Sequence, residues 1–207
     1  MSDSVPTIFK LFIKRGKALI KMLLFRPLGM GTFGNDSIVR RPRTIWGRKD
    51  IHIGAKTVIL PHSLLHAVRK YGNLTYDASI FIGDDVYIGS YAYIVAANRI
   101  EIGNDSVLSE HVYITDLNHG FDPRAGNILA QPIESKGPVR IGPNCFLGYR
   151  VAVMPGVTLG EWCIVGANSV VTRSFPAYSM IAGAPARIIK IYSHELGKWI
   201  SPPLDLV

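Results

Sequence analysis

Residues 141–173 read IGPNCF LGYRVA VMPGVT LGEWCI VGANSV VTR, and every sixth residue is aliphatic: Ile141, Leu147, Val153, Leu159, Val165 and Val171. The residue after each is Gly142, Gly148, Met154, Gly160, Gly166 or Thr172. The fifth position is always modest in size, running Cys145, Val151, Val157, Cys163, Ser169. A period of six matches neither helical heptads nor strands alternating with helices. It predicts a solenoid of short strands, each sending one aliphatic residue inward, with the next small residue letting the chain turn. No single repeat can bury its own face, so stacking must supply the core.

The pattern extends upstream as Ile82-Gly83, Ile88-Gly89 and Ile94, then after a two-residue slip as Ile102-Gly103, Leu108 and Ile114. Fainter copies stand at Ile53-Gly54 and Ile59. A chain of 207 residues, 48% hydrophobic and 18% charged, has the composition of one globular domain with a terminal appendage. Its 20 glycines and 13 prolines are too few for a collagen-like or low-complexity chain. Two cysteines cannot build a disulfide scaffold, which makes a reducing compartment the default. The formal net charge of +8 points to anionic partners.

Over about residues 50–190 the repeat resembles that of the hexapeptide-repeat acyltransferases. The resemblance implies an all-β fold, a left-handed parallel β-helix of triangular section with three hexads to a coil. It divides the chain into a basic segment (1–30), the β-helix (31–191) and a short C-terminal helix and tail (192–207). With eighteen residues per coil, Cys145 and Cys163 should stack on adjacent coils as buried, reduced thiols.

Between Ile114 and Ile141 the hexads stop for the polar, turn-rich segment 115–140, TDLNHGFDPRAGNILAQPIESKGPVR. Loops of this length inside a compact domain are functional or disordered, and regular coils pin both ends of this one. Its Asn118-His119-Gly120-Phe121 resembles a segment of the sugar O-acetyltransferase branch, in which the matching histidine is the catalytic base. Imidazole suits the task, since a sugar hydroxyl is a poor nucleophile until its proton is taken. The resemblance also places Asp116 and Asn118 against the acceptor. Leu117 departs from it, because many relatives carry a second histidine there, which leaves acceptor choice open.

The same resemblance assigns an oxyanion donor to the backbone N–H of Tyr149. It assigns acetyl-CoA binding to Ala167, Thr172, Arg173, Arg187 and Lys190, in a groove between subunits of a homotrimer. Arginine and lysine suit the phosphates of coenzyme A. The run Ile181–Arg187, IAGAPAR, resembles the family's conserved end of the helix.

Residues 1–26 carry Lys10, Lys14, Arg15, Lys17, Lys21 and Arg26 against Asp3. As a helix ended by Pro27 and Gly29, they would group Ile8, Phe12, Leu19 and Leu23 near one face. Such a helix could cap the open first coil or rest on anionic lipid through residues 5–26, and the two are compatible. No span reaches about 18 uninterrupted apolar residues, and no signal-peptide pattern is present, so the expected location is cytoplasmic or peripheral on the inner membrane face. A second basic cluster, Arg40, Arg41, Arg43, Arg48 and Lys49, reads as a solvated face or a phosphate contact. The stretch 60–73 reads as a loop or short helix replacing two hexads.

These features point to transfer of acetyl from acetyl-CoA to a sugar hydroxyl of a surface polysaccharide or its precursor, with no metal and no nucleic acid. Two alternatives remain: N-acylation of an amino sugar, and a non-catalytic interaction solenoid. A zinc hydratase on the same kind of solenoid needs three histidines, and His111 and His119 have no third beside them in the loop.

Overall fold

A computed structural model describes residues 27–203; the predicted basic helix of residues 5–26 lies outside the described residues. The chain winds through three parallel sheets that form the faces of a triangular solenoid. Face A holds Thr32–Phe33, Ile51–Ile53, Ser79–Ile82, Arg99–Ile102, Val139–Ile141 and Thr158–Leu159. Face B runs from Ile38–Val39 through Val58–Ile59, Tyr87–Ile88, Val107–Leu108, Phe146–Leu147 and Ile164–Val165 to Ser179–Gly183. Face C holds Thr44–Trp46, Leu64–Ala67, Tyr93–Ala96, Tyr113–Thr115, Ala152–Val153 and Val170–Val171.

The hexad aliphatics become columns inside the triangle. Ile53, Ile82, Ile102, Ile141 and Leu159 are register partners on face A. Ile59, Ile88, Leu108, Leu147, Val165 and Ile181 do the same on face B. All are buried, and full burial of such a side chain is worth about 1.5–3 kcal/mol. Ile141 and Leu159 are eighteen residues apart, as three hexads require, whereas Ile82 and Ile102 are twenty apart. The extra two residues, Ala97 and Asn98, lie at the corner between faces C and A and account for the slip in the pattern.

The hexad glycines have a different role from the expected one. The residues that turn the chain are those at the fourth position: Asp85 (φ 54°), Asp105 (59°) and Asn144 (57°) at the A–B corner, Tyr91 (61°), His111 (60°) and Arg150 (57°) at the B–C corner. Glycine at the second position is needed because adjacent coils touch there. A Cβ on Gly142 would lie 2.6 Å from the backbone nitrogen of Glu161, and one on Gly89 2.6 Å from that of Glu110. The small polar residues at the fifth position of the A–B corner share a function. Ser37, Thr57 and Ser106 donate to the carbonyls of Gly54, Gly83 and Gly142 on the following coil. Cys145 and Cys163 occupy the same column, stacked as expected and unbridged. They donate to Gly160 (3.1 Å) and Pro176 (3.2 Å).

Two expectations are overturned. In place of a C-terminal helix from 192, Ser179–Gly183, Ala186–Ser193 and Lys198–Ile200 form an antiparallel meander that continues face B. Alternation begins at Ala186, with Ala186 and Ile188 buried and Arg187 exposed between them. The IAGAPAR run is thus two strands joined at Ala184-Pro185. This meander occupies the edge that the last coil would otherwise leave unpaired. The stretch 60–73 contains no helix: Leu64–Ala67 is a regular face C strand, and Lys70–Tyr71 pairs with Leu74–Thr75 across a tight turn at Gly72-Asn73. A two-residue Gly-Asn connection is a hairpin signal, and Gly72 adopts φ 57° there.

Candidate active site

The segment 115–140 leaves the solenoid at the C–A corner as a hairpin. Leu117–His119 pairs antiparallel with Ile133–Ser135, setting His119 opposite Ile133. At its root Thr115 donates to the Val95 carbonyl (3.1 Å). Asp116 is fully buried, and its carboxylate accepts the N–H groups of Ala97 (2.7 Å) and Asn98 (3.0 Å). Burial pushes its pKa up from 3.8, against the opposing pull of those N–H donors. Both carboxylate oxygens are thus engaged by the coil below, which braces the root of the loop. Farther out, Gln131 clamps the loop, accepting from the Asp122 N–H (3.0 Å) and donating to the carbonyls of Asp122 (2.9 Å) and Gly126 (3.1 Å). Gly120 is needed beside it, since a Cβ would sit 2.9 Å from the Gln131 side chain.

His119 is half-buried, and its Nδ1 is enclosed with no hydrogen-bond partner among the described residues. Its ring meets Tyr71 edge-on, with centroids 5.3 Å apart. Asn118 is half-buried on the same strand, opposite Glu134. Tyr149 lies at the B–C corner, where its ring contacts His111 and the Arg150 guanidinium lies 5.2 Å above it. Its N–H makes none of the coil-to-coil hydrogen bonds formed by Gly148 and Arg150 on either side. Ala167 stacks on this corner one coil later, where the Asn168 N–H donates to the Tyr149 carbonyl (2.8 Å). Thr172 and Arg173 return to the C–A corner, the latter with its guanidinium 5.3 Å from the Phe175 ring. Arg187 and Lys190 are exposed on the C-terminal meander.

One chain therefore carries His119, Thr172 and Arg173 on the C–A corner of different coils, and Tyr149 and Ala167 on the B–C corner. The width of face C separates the two groups, roughly 10 Å for three extended residues. A cleft of about 490 Å³ lined by Trp162, Tyr178, Tyr192 and Trp199 opens on the C-terminal meander, away from His119. The aromatic residues of the 68–78 insert were not among the expected site residues. The signal available for them was Tyr71 and Tyr76 flanking a Gly-Asn turn.

The family model described as "hexapeptide repeat of succinyl-transferase" matches residues 79–116 and 138–173, the regular coils on either side of the hairpin. The matched coils carry the repeat that this model describes, so over those residues the chain is similar to the hexapeptide-repeat acyltransferases. It is 40% identical over 127 residues to the lipopolysaccharide biosynthesis O-acetyl transferase WbbJ of Escherichia coli K12, a match covering 58% of this chain and 64% of that protein. It is 35% identical over 140 residues to the acetyltransferase Rv3034c of Mycobacterium tuberculosis, covering 68% of this chain and 42% of that one. The chain thus spans less than two thirds of the length of these relatives. Among solved structures, it resembles AntD, an N-acyltransferase from Bacillus cereus in complex with dTDP and 3-hydroxybutyryl-CoA. The TM-score is 0.64 at 21% identity, over 87% of this chain and 90% of that one. It also resembles the hexapeptide-repeat acetyltransferase VCA0836 of Vibrio cholerae, with a TM-score of 0.52 at 24% identity over 92% and 95%. The shared fold is the left-handed parallel β-helix.

Proposed function

We propose that this protein transfers an acetyl group from acetyl-CoA to a sugar hydroxyl of a surface polysaccharide or its precursor, with His119 as general base. The observation that carries this reading is His119 at the braced root of the hairpin, with Nδ1 enclosed. A nitrogen so enclosed cannot reach an acceptor, so Nε2 takes the hydroxyl proton. The freed oxygen attacks the thioester carbonyl, the Tyr149 N–H stabilises the oxyanion, and collapse releases the CoA thiolate, to which His119 returns the proton.

Ala167, Thr172, Arg173, Arg187 and Lys190 hold acetyl-CoA in this reading. Because His119 and Tyr149 stand on different corners, the site is completed by a second copy. The surface beside Tyr149 suits that role. On face B, Tyr87, Val107 and Phe146 form an exposed row in register. Tyr93 and Tyr113 stack on face C with centroids 5.3 Å apart, and Tyr91 and Tyr149 are exposed on the corner between them. Exposed apolar patches of this kind mark association surfaces, and a homotrimer joins the B–C corner of one copy to the C–A corner of the next. The relative WbbJ favours the hydroxyl acceptor; likeness to AntD keeps an amino-sugar acceptor as the second reading. Acetyl transfer to hydroxyl and amino sugars side by side separates the two. The His119→Ala variant should lose roughly 10²–10⁴-fold in turnover, and full turnover by that variant would overturn the assignment.

A further inference from the structure

We propose that Tyr71, in the hairpin inserted between the second and third coils, is a positioning residue that orients the His119 imidazole; this rests on the reading of His119 as the base. A catalytic histidine needs its ring held in one orientation, and a hydrogen bond from the second ring nitrogen is the usual device. Here Nδ1 has no such partner among the described residues. The group against the ring is Tyr71, edge-on at 5.3 Å. Aromatic pairs in this arrangement favour a defined mutual angle.

Tyr71 is itself fixed at both ends. Its backbone belongs to the hairpin Lys70–Tyr71/Leu74–Thr75, and its hydroxyl donates to the Leu129 carbonyl (2.7 Å), on the far arm of the loop that carries His119. A second tyrosine of the insert engages the opposite strand of the same loop. The Tyr76 hydroxyl accepts the Ile133 N–H (3.0 Å) and donates to the Ile133 carbonyl (3.2 Å), and Ile133 is the register partner of His119. Beneath these contacts, Leu64, Val68, Val95, Ala97 and Ile133 form a small core separate from that of the solenoid, with Tyr71, Tyr76 and Leu117 packed on it. The insert and the histidine loop both leave the C–A corner, so the insert is built as a buttress that sets the angle of one ring.

The test compares the full-length Tyr71→Phe, Tyr71→Ala and His119→Ala variants. One readout is the His119 ring signal in protein labelled with ¹³C-histidine, assigned by its loss in His119→Ala. The other is turnover, followed as thiol release from acetyl-CoA with a panel of hexopyranosides. Tyr71→Ala should shift and broaden the His119 signal and lower kcat roughly 10²-fold, as small misplacements of reacting groups do, with KM for acetyl-CoA unchanged. Tyr71→Phe, which keeps the ring, should keep the signal and most of kcat. If Tyr71→Ala does not fold, Tyr71→Leu replaces it, filling the volume without a ring. An unchanged His119 signal and kcat in the folded ring-less variant would overturn the proposal, as would a rise in KM with kcat intact. Full turnover by His119→Ala instead overturns the base assignment, and the ring signal then still reports whether Tyr71 holds the histidine.

Discussion

The carboxylate of Asp116 accepts the N–H of Ala97 at 2.7 Å, joining the root of the histidine loop to the two-residue slip in the coil below. The slip leaves Ala97 and Asn98 outside the regular ladder, and Asp116 satisfies the N–H of each. The irregular turn and the residue that holds it are thus a matched pair, three positions before His119.

This pairing has a pH signature. The Asp116 pKa is raised by burial above the 3.8 of an unfolded chain, so the folded state holds its proton more tightly. Its favourable contribution is then fully present below pH 3.8 and is lost as pH rises through the higher folded value. Asp116→Asn removes that titration. The stability of wild type relative to Asp116→Asn should fall as pH rises above 3.8, as measured by urea unfolding at each pH.

The inward columns predict a core cost. Ile88 is fully buried among register partners above and below. Ile88→Ala should cost about 2–5 kcal/mol in chemical denaturation, the range for cavity-forming substitutions.

The thiols should be inert in the folded protein. Cys145 and Cys163 are buried in the column of hydrogen-bonding small residues. The neighbouring Cys163 thiol, together with burial, pushes the Cys145 thiol up. A thiol reagent should label neither until the protein unfolds, and then both. Cys145→Ser keeps a donor for the Gly160 carbonyl and should fold with a melting temperature close to that of wild type.

The exposed row on face B should govern assembly. Phe146→Glu places a charge at the end of that row, at a side chain 41% exposed in the single chain. In the proposed homotrimer, the sedimenting mass should drop from about three times 22.8 kDa toward a single copy, with acetyl transfer lost at the same time because the proposed pairing of Tyr149 with a neighbour's His119 is broken.

Much of this architecture is legible in the chain itself. The hexad places Ile141, Leu147, Val153, Leu159, Val165 and Val171 inside without reference to any partner, because a short strand buries whichever residue points inward and the next coil repeats the choice. The interruption at 115–140 locates the histidine loop by the same local logic. Tertiary structure alone decided four other features. Tyr71 lies 48 positions before His119 in the chain and meets it only because both excursions leave one corner of the triangle. The carboxylate of Asp116 turns inward because Ala97 and Asn98 lie beneath it. The glycines serve coil contact because the fourth hexad residues already make the turns. The last strands run antiparallel because the solenoid ends at an edge that something must pair. A six-residue period is a local property of the chain, whereas the contacts that orient His119 join segments distant in sequence that no repeat relates.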